Sequence, residues 1–376
     1  MMTTPVPVTS FIPHLTIQFN WSNSTSNSTS NSTSHSTSNS TSPPLSDLLM
    51  SCFTMIFGTI SNLTALGILA MSRSRFRGQS NLPFLLLTVA LLLADLGGHF
   101  ILGAFALYGH ISARYKMPSL KSSVAFCKIF GASMVFFGLC PLLLGCAMAV
   151  ERWVAISRPF LHVYITVAHV KRVVLIFISS ALVLALLPIF YVGKYTTQFP
   201  DTWCFLPIQD SPSTADKNLV LAFSCLGLIA LILSLLCNVL SGLPLLKAKL
   251  KSRNCYTKPS AQGSSRASST STSTIFCSLE VEMLVQLAGV TVVSCVCWGP
   301  FLINIFMKQF NRDPKGQEDR FTLQSLRMVT WNQILDPWVY ILIRRTMLSK
   351  LCCGLHNQSF MTPNPSFTDS RRETFM

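Results

Sequence analysis

Seven predominantly apolar stretches divide this sequence, at roughly 46–71, 82–109, 124–151, 170–192, 218–246, 280–307 and 321–343, and each is long enough as a helix to cross the hydrocarbon of a bilayer. Half of the 376 residues are apolar and 11% are charged, a balance too oily for one soluble domain of this length. The predicted fold class is therefore an all-α membrane protein. Its parts are a seven-transmembrane-helix bundle over 46–343 and a cytoplasmic segment over 344–376 that opens with a short amphipathic surface helix.

A formal charge of +15 would suit nucleic acid, but the basic residues sit in loops between apolar spans and form no continuous groove, so nucleic acid is excluded as a partner. The charge is topological instead. With the amino terminus outside, eighteen Lys and Arg fall on the inner side and ten on the outer, leaving Arg327 alone within a span. Residues 1–45 contain no Lys, Arg, Asp or Glu and repeat Asn-Ser-Thr-Ser, which predicts a disordered tail. Its sequons at Asn20, Asn23, Asn27, Asn31 and Asn39 fit N-glycosylation on the lumenal side, although a repeat of Asn and Ser also generates sequons by chance. No basic region followed by a short apolar segment and a cleavage site is visible, so the first span is expected to start insertion itself.

The third inner loop, 247–279, begins with alternating basic residues and passes into a Ser- and Thr-rich run, read as a flexible and phosphorylatable linker. After span seven, Arg344, Arg345, Leu348 and Leu351 lead to Cys352 and Cys353, a pattern that resembles a surface helix ending in palmitoylated thiols in contact with membrane lipid. Most of the thirteen cysteines lie in or beside spans, where Cys acts as a small apolar residue. Cys127, at the outer end of span three, and Cys204, in the following outer loop, both face an oxidising compartment, where pairing and free thiols are both open.

Ionisable side chains at bilayer depth cost several kcal/mol and call for a partner or a task. Asp95 in span two, Asn62 in span one, and Asn332 and Asp336 in span seven could form a mid-membrane cluster that holds water or sodium, or simply a structural hydrogen-bond network. Glu151 and Arg152 end span three. Arg327 lies nine residues before Asp336, about 13 Å along a helix and half a turn round it, so those two cannot pair directly. The other acids of the spans lie at other depths. A planar five-donor guanidinium in the outer half of a span is suited to a ligand carboxylate, with snorkelling to the interface as the alternative.

Two absences narrow the ligand. Span three carries Met134, Val135, Phe136 and Phe137 in its outer half and no acid for a cationic amine, and span seven carries no lysine for a retinal Schiff base. An apolar acid is the expected ligand. Prolines at 141, 188, 300 and 337 permit kinks in spans three, four, six and seven, and Trp298 sits beside one of them, either as a moving part or as core packing.

Ser61-Asn62, Leu93-Ala94-Asp95, Glu151-Arg152-Trp153, Cys297-Trp298-Gly299-Pro300 and Asp336-Pro337-Trp338-Val339-Tyr340, in this order, resemble the signatures of rhodopsin-like G-protein-coupled receptors across roughly 46–355. Three departures stand out: Glu151 replaces the family's aspartate, Trp153 its tyrosine and Asp336 its span-seven asparagine. The runs GLCPLLLGCAMAVERW, TWCF, VSCVCWGPF and LRMVTWNQILDPWVYIL are similar to prostanoid receptors. With Met134 to Phe137 and Val192-Gly193-Lys194-Tyr195, they most resemble prostaglandin E receptors of the first, calcium-mobilising subtype, with prostaglandin F receptors close behind.

The resemblance implies a Cys127–Cys204 disulfide. It also implies that Arg327 meets the prostanoid carboxylate, that Thr202 and Trp203 help to close the pocket, and that Met134, Phe137 and Trp298 line its chain-binding part. At the top of span two the family often supplies a tyrosine to the carboxylate; here His110 stands in that place with Tyr108 two residues earlier. Glu151, Arg152, Asp95, Asn62, Asp336, Pro337 and Tyr340 would carry the switch and the coupling. The implied partners are a heterotrimeric G protein of the phospholipase-activating class, with receptor kinases and arrestin beside it. No cofactor or metal is implied beyond sodium near Asp95, and no enzymatic activity.

A transporter of a lipophilic organic acid is the rival of another class. An odd span count, no internal repeat and no paired interrupted helices argue against it. His99, alone in span two, reads as a packed histidine rather than a catalyst.

Overall fold

The computed structural model describes residues 45–72, 82–114, 124–190, 192–199, 202–208, 213–256, 270–310 and 317–359; for 45–47, 113–114, 245, 248–256, 270–282, 317–319 and 343–359 the backbone alone is described. The chain divides into two units, Met1–Thr41 and Ser42–Met376, and the described residues belong to the second. The sequons of the amino-terminal tail and the side chains of Cys352 and Cys353 lie outside the described residues.

Among the described residues eight helices and one hairpin follow in order: α1 Leu45–Ser72, α2 Leu82–Arg114, α3 Val124–Ser157, the single turn α4 Pro159–His162, α5 Val167–Leu186, β1 Thr196–Gln198, β2 Trp203–Phe205, α6 Thr214–Tyr256, α7 Thr270–Lys308 and α8 Gln317–Ser359. Among the described residues six helices, α1 to α3 and α5 to α7, are long and apolar enough to cross a membrane. The seventh stretch lies in α8, where Arg327, Asn332, Gln333 and Asp336 dilute the apolar run. The backbone of α8 is helical without interruption to Ser359, so it runs on from the seventh span through the segment after residue 343 for which a separate surface helix was predicted. Helical backbone also enters the predicted third inner loop from both sides, leaving 257–269 outside the described residues. The helix-forming run Leu245-Leu246-Lys247-Ala248-Lys249-Leu250 favours that extension of α6.

The middle of the bundle is α3, which packs against α2, α5, α6 and β2. Val135, Leu139, Leu144 and Ala149 on it are fully buried. Gly138 lets the Trp298 ring come so close that an added Cβ would lie 2.8 Å from Cη2. Small residues at helix contacts are the usual means of close approach where no water drives association.

Prolines lie inside α3, α7 and α8 as predicted, and a further one, Pro244, lies inside α6. Pro188 differs from expectation: α5 stops at Leu186 before it, so the proline terminates span four rather than kinking it. Where α5 ends, the Ala185 carbonyl accepts a hydrogen bond from the Tyr195 hydroxyl at 2.7 Å. Pro337 removes the N–H that would reach the Gln333 carbonyl four residues back. Asn62 Nδ2 of α1 donates to that carbonyl at 3.2 Å and to the Gly58 carbonyl at 3.0 Å.

The outer loop after α5 folds into an antiparallel hairpin with Thr196 opposite Phe205, Thr197 opposite Cys204 and Gln198 opposite Trp203. The disulfide Cys127–Cys204 ties β2 to the outer end of α3, with Cα atoms 5.4 Å apart. Trp203, Cys204 and Phe205 are all buried, so the strand belongs to the core of the bundle's outer end. Its approach is fixed by Gly193, whose φ of 94° favours glycine, and by Lys194 N–H donating to the buried Asp216 Oδ1 at 2.9 Å.

Burial pushes the Tyr195 phenol up from its ordinary value. Replacement Tyr195→Phe leaves a buried carbonyl without its donor and is expected to cost about 1–3 kcal/mol, read as a lower thermal midpoint in detergent. Because the folded phenol holds its proton more tightly than the unfolded one, its contribution is constant below about pH 10 and is lost as pH rises further. The Phe variant should lack that alkaline component.

Candidate functional site

At the inner end of α3, Glu151 and Arg152 are both nearly buried and pair with each other. Arg152 Nε donates to Glu151 Oε2 at 2.5 Å and Nη2 to Oε1 at 2.7 Å, a two-point charge-assisted contact. The guanidinium also lies 4.8 Å from the centroid of the Phe84 ring on α2, and Nη1 approaches the Met283 sulfur of α7 at 3.6 Å. His162, on the single turn α4, brings Nε2 to 3.0 Å from Glu151 Oε1. One carboxylate thus holds both the arginine beside it and the inner loop that follows.

At mid-depth, Asp95 and Asp336 are 0% and 2% exposed. Asn332 Nδ2 donates to Asp336 Oδ2 at 3.0 Å, while both Asp95 oxygens, Asp336 Oδ1 and Asn332 Oδ1 have no protein donor among the described residues. Acceptors buried in this way call for water, a proton or a cation. A cavity beside Asp336 is bounded by Asn332, Ser234, Ser294 and Gly145, and a second by Thr88, Met148 and Tyr340. Of the predicted cluster, Asn332 donates to Asp336 and Asn62 donates from its amide to the Gln333 carbonyl, while Asn62 Oδ1 has no protein donor among the described residues. Among the described residues no group of three His, Cys, Asp or Glu is arranged for a metal.

At the outer end, Arg327 is exposed, and its carbonyl accepts from Thr330 Oγ1 at 2.7 Å. Trp338 lies three turns further along α8 and within roughly 20° of the same direction. It stacks on Phe57 of α1 at 5.8 Å. Tyr108 is half-exposed with its ring 5.4 Å from Phe126, and His110 is partly buried. Trp203 donates from Nε1 to the Phe199 carbonyl at 2.9 Å, beside the partly buried Thr202. Met134 and Phe137 are partly buried on α3, the Phe137 ring lying over Gly97 of α2. Trp298 is buried and meets Phe223 at 6.5 Å and Phe301 at 6.2 Å. Phe205 of the hairpin lies 5.2 Å and 5.8 Å from those same two rings.

The pattern of the seven-transmembrane receptors of the rhodopsin family matches residues 61–340. The human prostaglandin F2-alpha receptor is 41% identical over 314 residues, 81% of this chain and 82% of the relative. The chain belongs to the rhodopsin family of receptors, in its prostanoid group. The prostaglandin E2 receptor EP1 subtype of the dog is 38% identical over 327 residues, 80% of this chain and 79% of that protein. Squid rhodopsin, at 14% identity, shares the fold, with a TM-score of 0.64 over 82% of this chain and 85% of its own. A receptor of this family is not an enzyme, as the sequence predicted.

Three parts of the receptor's site were not read from the sequence. His162 has no motif of its own and becomes visible when α4 folds back onto Glu151. Phe205 sits in the quoted run TWCF, but its stacking toward Trp298 depends on how deeply the hairpin sinks. Gln333 lies inside the span-seven run without a distinguishing signal. Replacement His162→Ala removes one of the Glu151 contacts while leaving the pair with Arg152. It is expected to raise ligand-independent nucleotide exchange on a G protein by about fivefold, the equivalent of one hydrogen bond of about 1 kcal/mol. Nucleotide exchange in membranes at matched surface expression measures it; an unchanged basal rate would mean that the latch does not restrain Arg152.

Proposed function

We propose that this receptor is switched on by a prostaglandin whose carboxylate is held by Arg327, and that it activates a heterotrimeric G protein of the phospholipase-stimulating class, releasing calcium. The observation that carries the reading is the kinship with receptors named for prostaglandins F2-alpha and E2 over about four-fifths of the chain. The chemistry of the chain supports it. The outer half of α3 offers apolar and aromatic side chains and no acid, and Arg327 supplies a two-point carboxylate grip.

In this reading Met134, Phe137 and Trp298 border the ligand chain, Thr202 and Trp203 close over it, and Tyr108 or His110 adds a second contact to the carboxylate. Ligand binding favours a bundle with α7 swung outward at its inner end, which frees Arg152 from Glu151 for the G protein. Asp95, Asn62, Asp336, Pro337 and Tyr340 form the hinge region, with water or sodium beside Asp95. The protein sits in the plasma membrane with its amino terminus outside and glycosylated. Receptor kinases and arrestin act on its inner face, and acylated Cys352 and Cys353 hold the last helix to lipid.

Prostaglandin E is the first ligand of this reading and prostaglandin F the second, favoured by the 41% identity to the human F2-alpha receptor. A calcium assay against a panel of prostanoids ranks them; no response to any, with surface expression verified, overturns the assignment. Replacement Arg327→Gln is expected to weaken binding of the acid by roughly 2–5 kcal/mol and to reduce discrimination against its methyl ester. Unchanged acid affinity in a folded variant would remove Arg327 from the carboxylate site.

A further inference from the structure

Pro141 stands in the middle of α3, the most enclosed helix of the bundle. A proline carries no N–H, so the carbonyl four residues earlier loses its helical donor, and here that carbonyl belongs to Phe137. In hydrocarbon such a group cannot turn to solvent and needs a donor from the protein. Gln333 provides it: its Nε2 donates to the Phe137 carbonyl at 3.3 Å across the interface between α8 and α3. Gln333 is 6% exposed, and an added Cβ at Gly98 of α2 would lie 2.7 Å from the same Nε2. The missing Cβ at that position is what lets the amide reach α3.

The backbone of Gln333 is fixed as well, because its own carbonyl, released by Pro337, accepts from Asn62 of α1. One residue of α8 is therefore tied to α1 through its backbone and to α3 through its side chain, with α2 pressed against it. Arg327 precedes it by six residues, about 9 Å along the helix and roughly 120° round it. Holding Gln333 toward α3 fixes the rotation of α8, and with it the direction in which Arg327 points.

We infer that Gln333 is a positioning residue for ligand capture: by satisfying the carbonyl that Pro141 releases, it fixes the rotation of α8 and so the direction from which Arg327 meets the ligand. The inference rests on the reading that Arg327 meets the ligand carboxylate. It separates Gln333 from a general packing residue, because its side-chain donor matters only while position 141 is proline.

A cycle built on Gln333→Met and Pro141→Ala tests this. Methionine keeps the volume and removes the donor, and alanine gives the Phe137 carbonyl back its own helical N–H. Binding of prostaglandin E2 or F2-alpha and of the corresponding methyl ester is measured on membranes for the parent, both single variants and the double variant. Gln333→Met is expected to weaken the acid at least tenfold and the ester much less, so that the acid-to-ester ratio falls. In the Pro141→Ala background the same change is expected to cost less than threefold. Equal losses for acid and ester, or the same acid loss in both backgrounds, overturn the positioning role while leaving the ligand reading intact. A parent receptor that binds no prostanoid overturns both. If Gln333→Met alone fails to reach the surface, return of surface expression in the double variant supports the inference, and its continued absence overturns it.

Discussion

A helix in hydrocarbon must satisfy its backbone from within, because no water is present to take a released donor or acceptor. Every proline in this bundle tests that rule, and at three places a side chain from elsewhere in the chain donates to a backbone carbonyl near a proline. Asn62 reaches the carbonyl opened by Pro337, and Gln333 the one opened by Pro141. The Tyr195 hydroxyl reaches the carbonyl of Ala185 where α5 ends ahead of Pro188. These contacts join α1 to α8, α8 to α3 and the outer loop to α5. Prolines that would weaken an isolated helix thereby become points at which helices are joined.

The charged groups obey a related economy. Asp95 and Asp336 are both buried, and both Asp95 oxygens and Asp336 Oδ1 have no protein donor among the described residues. Arg152 has an acid beside it in sequence, so its charge is balanced within one helix and its contact with α7 is a thioether rather than a carboxylate among the described residues. The His162 contact instead ties the Glu151 carboxylate to the loop that follows α3.

Spans one to six were legible because length and apolarity over about 20 residues leave few alternatives to a membrane helix. Span seven was legible in sequence despite its polar residues, since Asp336-Pro337-Trp338-Val339-Tyr340 marks it by pattern where hydropathy is weak. Cys127 and Cys204 could be paired only through the family resemblance, as spacing does not determine connectivity. The end of span four was misplaced because Pro188 permits either a kink or a stop, and local pattern does not choose between them. His162 and Gln333 escaped notice for the same reason: their partners are brought to them by tertiary packing, and nothing in local pattern announces a hydrogen bond across 196 residues of sequence.

The Cys127–Cys204 bridge closes a separation of 77 residues and fixes β2 at the outer mouth. From β2 the rings run inward without a gap, Phe205 meeting Phe223 and Phe301, and these meeting Trp298 beside Pro300. The covalent link therefore removes conformational entropy well below the surface where it is made. Its effect reaches Trp298, where packing through two ring contacts narrows the orientations open to the indole, so that a bond made at one end of the bundle limits thermal disorder in its interior.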